Sequence, residues 1–465
     1  MSRTGASRAK TVYACAECGH SSPKWLGQCP SCKQWNTLQE EVAAPEPKAG
    51  APVRGWGTSG STKPVPLREV TADVELRRHT GIAELDRVLG GGVVPGSLVL
   101  LGGDPGIGKS TLLLAALDRL ARTTPERPVL YVSGEESARQ VKLRADRLQV
   151  SAPNLQVLAE TDAGKVLHAA DALTPAAVAV DSIQTQYLPE LQSAPGTVTQ
   201  IREVAARLMA YAKTSETPVF LVGHVTKDGS IAGPRVLEHM VDTVLYFEGG
   251  GAHPYRVLRA HKNRFGSASE IGVFEMKAGG LAEVPNPSAL FLAERPEGAS
   301  GSAVTAVLNG TRTILCEIQA LVSDAAYQGG TPRRTSLGLD SARVAMLAAV
   351  LKKKLDLEIS GCDIFVNVAG GLSIDDPAAD LACAAALSSS FRNRPVPART
   401  LLLGEIGLAG EVRAVSQPEV RLAEAARLGF ERALLPAANA RHAEAPRGIE
   451  LVGVESVQQA LEVLE

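Results

Sequence analysis

Residues 103–111 read Gly103-Asp104-Pro105-Gly106-Ile107-Gly108-Lys109-Ser110-Thr111, and that spacing suits the holding of phosphate. Three glycines let backbone N–H groups turn inward around phosphate oxygens, and a helix opening at Lys109 aims its positive end at the same charge. Lys109 then reaches the outer phosphates of ATP, and the Ser110 hydroxyl, with Thr111 beside it, lies where a Mg²⁺ ion bridges them. Four cysteines offer a second chemistry. Cys15/Cys18 and Cys29/Cys32 form two CxxC knuckles separated by ten residues, and four converging thiolates close a tetrahedral site for structural Zn²⁺, leaving His20 spare.

Phosphate chemistry also needs a metal-side acid and a group that activates water. Three apolar runs without alternation, PVLYVSGEES, AAVAVDSIQT and PVFLVGHVTK, end in polar residues. Such runs read as parallel strands covered on both faces, whose C-terminal ends line a ligand crevice. Asp181 closes the second run and takes the Mg²⁺ role. Glu135 or Glu136 follows the first; either could orient or deprotonate water, and Glu135 is the preferred candidate. His224 ends the third run, as a sensor of the terminal phosphate or as a hydrogen-bonded strand end. Beyond it, DTVLYFEG, YRVLRAHKNRFG and EIGVFEMKAGGL follow at short intervals, the pattern of a β-meander extending the sheet. The cations Lys262 and Arg264 thus close a strand on the sheet's flank, badly placed for their own phosphates and open to a neighbour's.

The 465 residues are too many for one ordinary core. With 48 basic against 50 acidic side chains, net charge −2, no global field draws the chain to nucleic acid or lipid, so a polyanion must meet a local patch. No secretory leader and no membrane-spanning run is evident, which together with clustered cysteines leads us to expect a cytoplasmic protein. Cys316, Cys362 and Cys383 lie in apolar surroundings and read as inert core thiols. The expected domains are a four-cysteine zinc finger (1–40), a Pro/Gly/Ala/Ser-rich linker (41–66), a nucleotide-binding α/β domain (67–285) and an α+β module (286–465).

Taken together, the cysteine head with PKWLGQCPSC and WNTLQEE, the lead-in TGIAELDRVLGGGVVPG, the strand end YVSGEES and the sequence KNRFG resemble the bacterial RadA (Sms) family along essentially the whole chain. The resemblance implies a RecA-like P-loop ATPase that assembles as a hexameric ring, binds single-stranded DNA and branched recombination intermediates, and drives their branch migration in DNA repair, alongside a RecA-type recombinase or replicative proteins. It implies trans-acting roles for Lys262 and Arg264: a ring sets each sheet flank against the next pocket, where cations stabilise charge on the transferring phosphoryl group. In RecA-like rings the loops here numbered 186–199 and 225–235 face the axis; the second carries Lys227 and Arg235 among glycines, which suits DNA contacts, the first has no cation, and both could simply be flexible connections. A signalling ring of the KaiC kind is the alternative; KNRFG does not belong to that pattern.

The C-terminal module, with FVNVAGGLSIDDPAADLACAAA and LLLGEIGLAGEVRAV, resembles the Lon protease domain. That domain uses a serine activated by a lysine. Ala378 occupies the nucleophile position here and Glu419 aligns with the lysine, so the module is expected to be a scaffold or a duplex-binding surface, not a peptidase. TPRRTS and LKKKLD place Arg333, Arg334 and Lys352 to Lys354 as phosphate contacts or as solvated faces.

Overall fold

A computed structural model describes residues 11–15, 21–31, 33–42, 66, 77–223, 235–249, 254–296, 298–324 and 332–465. Cys18, Cys32, His224 and Lys227 lie outside them, as does the side chain of Arg235. Strands β1 (Thr11–Cys15), β2 (Ser21–Ser22) and β3 (Leu38–Val42) form a small antiparallel sheet in the order β2-β1-β3. Among the described residues its core holds Cys15, Cys29 and Leu38, with Tyr13 against them. A segment this short buries too little apolar surface to fold alone, which is the circumstance in which a metal supplies the folding energy.

The described residues divide into two compact units, one running to Glu283 and one starting at Val284, with Tyr255 counted in the second. In the first, α1 (Ala83–Val88) precedes β4 (Leu98–Gly103), α2 (Lys109–Thr123), β5 (Val129–Ser133), α3 (Ala138–Arg147), β6 (Leu155–Ala159), α4 (Ala163–Leu173), β7 (Ala177–Asp181), α5 (Val198–Ser215) and β8 (Val219–Val222). Then come α6 (Arg235–Met240), β9 (Thr243–Glu248), β10 (Tyr255–Asn263), β11 (Ile271–Lys277) and β12 (Gly280–Glu283). The nine-stranded sheet runs β12-β11-β10-β9-β4-β8-β7-β5-β6. From β9 to β6 neighbouring strands are parallel; β10 turns antiparallel to β9, opening the meander.

The apolar runs are continuous because both faces are covered. Val99 and Leu101 enter one core with α1 and α2, while Leu98 and Leu100 enter another with α4 and α5. Helix starts follow local chemistry: Ser137 and Gln140 form a capping box for α3, and the Asp162 and Thr197 side chains cap α4 and α5. The P-loop leaves β4 at its C-terminal end, between flanking strands β8 and β9, where the chain direction of the connections reverses.

The second unit comprises α7 (Pro287–Leu292), β13 (Ser302–Asn309), β14 (Arg312–Asp324), β15 (Arg334–Leu337), α8 (Ser341–Leu355), β16 (Cys362–Val368), α9 (Asp380–Arg392) and β17 (Thr400–Leu402). It continues with the hairpin β18 (Glu405–Ile406) and β19 (Val412–Arg413), α10 (Pro418–Arg427), β20 (Arg432–Pro436), α11 (Ala437–Ala440), β21 (Glu450–Val454) and α12 (Val457–Leu464). Its mixed sheet runs β15-β16-β14-β13-β17-β20-β21. Ala378 is buried in the turn before α9. Glu419 is exposed in the first turn of α10, and two residues on it is Arg421, 1% exposed, that enters the interior. Its guanidinium donates to the Asp376 carboxylate (2.7 Å), the Ala306 carbonyl (2.5 Å) and the Ser416 carbonyl (3.0 Å). A guanidinium stays protonated and is no base. Arg333 and Arg334 are exposed, and Lys352 to Lys354 occupy the exposed last turn of α8, where cations offset the helix dipole.

Candidate nucleotide site

The P-loop's shape follows from its glycines. Gly103 has φ 145°, and a Cβ there would lie 2.6 Å from the Phe247 carbonyl oxygen of β9, so any side chain would push the loop off the sheet. Gly108 precedes α2 in the left-handed region, φ 115°, and the helix begins at Lys109 with its free N–H groups toward the loop. Lys109 is 4% exposed, and its ammonium donates to the Gly103 (2.6 Å) and Asp104 (2.8 Å) carbonyls. Burial lowers its pKa, and Asp181, Asp104 and Glu135 oppose that shift. The charges of three carboxylates thus act on the ammonium, two of them, Asp181 and Glu135, carried by strand ends that the sequence places far from the P-loop.

Asp181 ends β7 beside Ser133 of β5, is 8% exposed, and accepts a hydrogen bond from the Tyr131 hydroxyl at 2.6 Å. Burial, then the Asp181 charge, push the Tyr131 pKa far up, so the phenol remains a donor. The two glutamates differ. Glu136 pairs with Arg144 of α3, and its backbone is fastened to the Ser133 hydroxyl. Glu135 is exposed on the lip and accepts from the Ser182 hydroxyl at 2.5 Å. Ser110 and Asp181 supply hard oxygen donors at the loop's mouth, a chemistry that fits Mg²⁺. In the head, Cys15 and Cys29 are each 1% exposed. Cys15 Sγ lies 3.1 Å from the Thr37 hydroxyl, and the turn after Cys29 is closed by Lys33 N donating to the Cys29 carbonyl at 2.9 Å. Two buried cysteines in one cluster suit a thiophilic ion.

The flank cations sit elsewhere. Lys262 pairs with Val244, which pairs with Leu100, three residues before Gly103; at ~3.3 Å per residue this sets it ~10 Å below the P-loop along the strands. Its ammonium donates to the carbonyls of Glu238 (2.7 Å), Val241 (2.8 Å) and His239 (3.3 Å), closing the C-terminal end of α6. Burial and neighbouring Arg264 lower its pKa. Arg264 lies 3.3 Å from Asp242, a buried carboxylate that also accepts from Lys213 (2.9 Å) and the Leu98 N–H (3.0 Å). Asn263 accepts from the Phe265 N–H at 2.9 Å, forming an Asx turn, and Arg77 donates to the Phe265 carbonyl at 2.5 Å. A Cβ on Gly266 would lie 3.0 Å from Gly90 Cα; the KNRFG turn rests directly on the triple-glycine loop.

Of the loops expected to meet DNA, residues 186–199 are tied down. Gln200, 1% exposed, accepts from Leu188 N–H (2.9 Å) and donates to the Ser193 carbonyl (2.8 Å), and Arg207 pairs with Glu190 at 2.5 Å. The other loop lies outside the described residues. Tyr131, Arg144 and Arg77 are site or supporting residues that sequence reasoning does not single out. Tyr131 reads as one more apolar strand position, and only the pairing register of β5 with β7 puts its ring on the side of Asp181.

Comparison with known proteins bears on the whole chain. Residues 13–40 match the family described as rubredoxin metal binding domain, 63–230 an AAA domain, and 335–439 the subunit ChlI of Mg-chelatase. The DNA repair protein RadA of Bacillus subtilis (strain 168) is 51% identical over 454 residues, 98% of each chain. That of Pseudomonas aeruginosa is 50% identical over 458 residues, 98% of this chain and 99% of its own. A solved KaiC-like protein from Pyrococcus horikoshii aligns with TM-score 0.38 and 21% identity, covering 45% of this chain and 99% of its own. No helix among the described residues is long and apolar enough to cross a membrane. Half the residues being shared from the cysteine head to the last strand, around a P-loop that buries Lys109 against its own carbonyls, the chain belongs to the RadA family of DNA repair proteins and carries that family's ATPase domain.

Proposed function

We propose that this repair ATPase works as a ring on DNA, hydrolysing ATP at subunit seams to drive branch migration of recombination intermediates. The observation that carries the reading is the division of charges. Lys109, Asp181 and Glu135 lie at the same end of the sheet, after β4, β7 and β5, while Lys262 sits ~10 Å lower on its flank and Arg264 lower still, beyond reach of their own P-loop. When Mg²⁺ is bound, Ser110 and Asp181 hold it, and the ion neutralises charge on the phosphate oxygens. The amides of 103–111 and Lys109 orient the phosphates, Glu135 positions the attacking water, and Glu136, committed to Arg144, supports the loop. Lys262 leaves the carbonyls of α6 to meet the neighbouring pocket, with Arg264 beside it. Because α6 opens at Arg235, directly after the loop bearing Lys227, DNA held by that loop bears on one end of the short helix whose other end restrains Lys262.

Thiolates of Cys15, Cys18, Cys29 and Cys32 hold Zn²⁺ and fold the head. The 286–465 module acts as a scaffold: Ala378 has no nucleophilic oxygen, and Arg421 fills the interior beside Asp376. A recombinase or a replicative protein is the expected partner, and the cytoplasm the expected location. The test compares ATP turnover with and without single-stranded DNA over a range of salt, then branch migration of a three-strand intermediate by the native and Lys262→Ala proteins. DNA-stimulated, salt-sensitive turnover with migration lost in the variant supports the reading; unstimulated turnover or equal migration rates defeats it.

A further inference from the structure

We infer that Tyr131 is a positioning residue for the metal-side acid: its buried hydroxyl fixes one oxygen of Asp181 and thereby directs the other toward the cation. The inference rests on the reading of Asp181 given above. Tyr131 is 1% exposed in the core beneath the P-loop, and its hydroxyl donates to Asp181 Oδ2 at 2.6 Å. The contact is built by register. Tyr131 pairs with Ala179 and Ser133 with Asp181 across β5 and β7, so Tyr131 and Asp181 are diagonal neighbours on one face, separated by a span that a tyrosine ring bridges.

A carboxylate at a strand end has two oxygens and a freely turning terminal torsion. Fixing Oδ2 removes that freedom and leaves Oδ1 for the ion or its water, as outer hydrogen bonds do for other metal ligands. Ser182, fully buried, gives its hydroxyl to Glu135. Asp181 and Glu135 thus each have their own donor, Tyr131 and Ser182.

Tyr131→Phe keeps the ring that fills the core and deletes only the donor. Mn²⁺ serves as the probe, titrated by electron paramagnetic resonance against the full chain with ADP. The Phe variant is expected to bind Mn²⁺ about 10-fold more weakly and to lose kcat by a similar factor, with KM for ATP changed by no more than about 2-fold. Asp181→Asn should weaken Mn²⁺ as well, and adding Tyr131→Phe to it should weaken it no further, because the tyrosine acts only through the acid. A hydrogen bond that serves stability alone would shift the melting temperature on its loss and leave Mn²⁺ affinity alone. Native Mn²⁺ affinity in Tyr131→Phe, beside a weakened Asp181→Asn, overturns the inference while sparing the reading of Asp181. Native affinity in Asp181→Asn overturns both. If the Phe variant does not fold, 3-fluorotyrosine at 131 keeps the shape and makes the donor more acidic; altered Mn²⁺ affinity then supports the role and unchanged affinity rejects it.

Discussion

Glu135 and Glu136 are adjacent and chemically identical, yet their surroundings differ. Glu136 is bound to Arg144, whereas Glu135 stands on the lip of the pocket with the Ser182 hydroxyl. Glu135→Gln should lower kcat by about 100-fold or more while ATP still binds, since a base or water-orienting group contributes on that order. Glu136→Gln should leave kcat within a few-fold and cost about 1 kcal/mol of stability, the worth of a half-exposed ion pair; turnover and urea titration read the two effects separately. Buried thiols give a prediction in pH. Cys316 and Cys383 are 0% and 1% exposed, and burial pushes both pKa values up to about 12. Below the unfolded value near 9 both states hold the proton, and the contribution is fully present. Above it the unfolded thiols ionise first, so stability should fall by about 1.4 kcal/mol per pH unit for each thiol until the folded value is reached. A Cys316→Ala/Cys383→Ala protein should show a shallower decline in denaturant titrations between those limits, and neither cysteine should react with iodoacetamide in the native protein.

At the scale of elements, what a reader can take from the sequence depends on whether the cause is local. The strands β4, β5, β7 and β8 declare themselves because continuous apolar runs have one physical explanation, a sheet covered on both faces, and the P-loop because its glycines and lysine are contiguous. The seat of the KNRFG turn is not local. Gly266 rests on Gly90 and Arg77 grips the Phe265 carbonyl, contacts spanning 176 and 188 residues of chain (266 − 90 and 265 − 77) that no window of sequence contains. Arg421 escapes for another reason: an arginine on an amphipathic helix is normally placed in water, and only the interior acceptors Asp376 and Ala306 account for its burial. The turn's seat can be tested. Gly266→Ala brings a methyl to 3.0 Å from Gly90 Cα, backbone against backbone, and should cost about 1–3 kcal/mol in denaturant unfolding. Because that shift would move Lys262 and Arg264, DNA-stimulated turnover should fall with it, while ATP binding at the P-loop, at the other end of the sheet, should hold.

For the molecule as a whole, the decisive property is whether one chain completes the pocket of another. The P-loop side and the flank cations lie at different levels of one sheet; in the proposed ring a single chain would therefore carry half of two seams, and the halves could be inactivated independently. Lys109→Ala removes the pocket's cation and keeps the flank; Lys262→Ala does the reverse. Each variant alone should hydrolyse ATP poorly. Mixed in equal amounts and allowed to exchange subunits, they create seams in which an intact pocket from the Lys262→Ala chain faces an intact flank from the Lys109→Ala chain, about one seam in four if assembly is random. Turnover should then recover to roughly a quarter of the native rate. A pocket that works within its own chain predicts no recovery at any mixing ratio, because every chain in the mixture lacks one of the two lysines. Measuring turnover across mixing ratios sharpens the distinction: seam complementation peaks at equal amounts and vanishes at either extreme, whereas two independently crippled enzymes give a straight line between their separate rates.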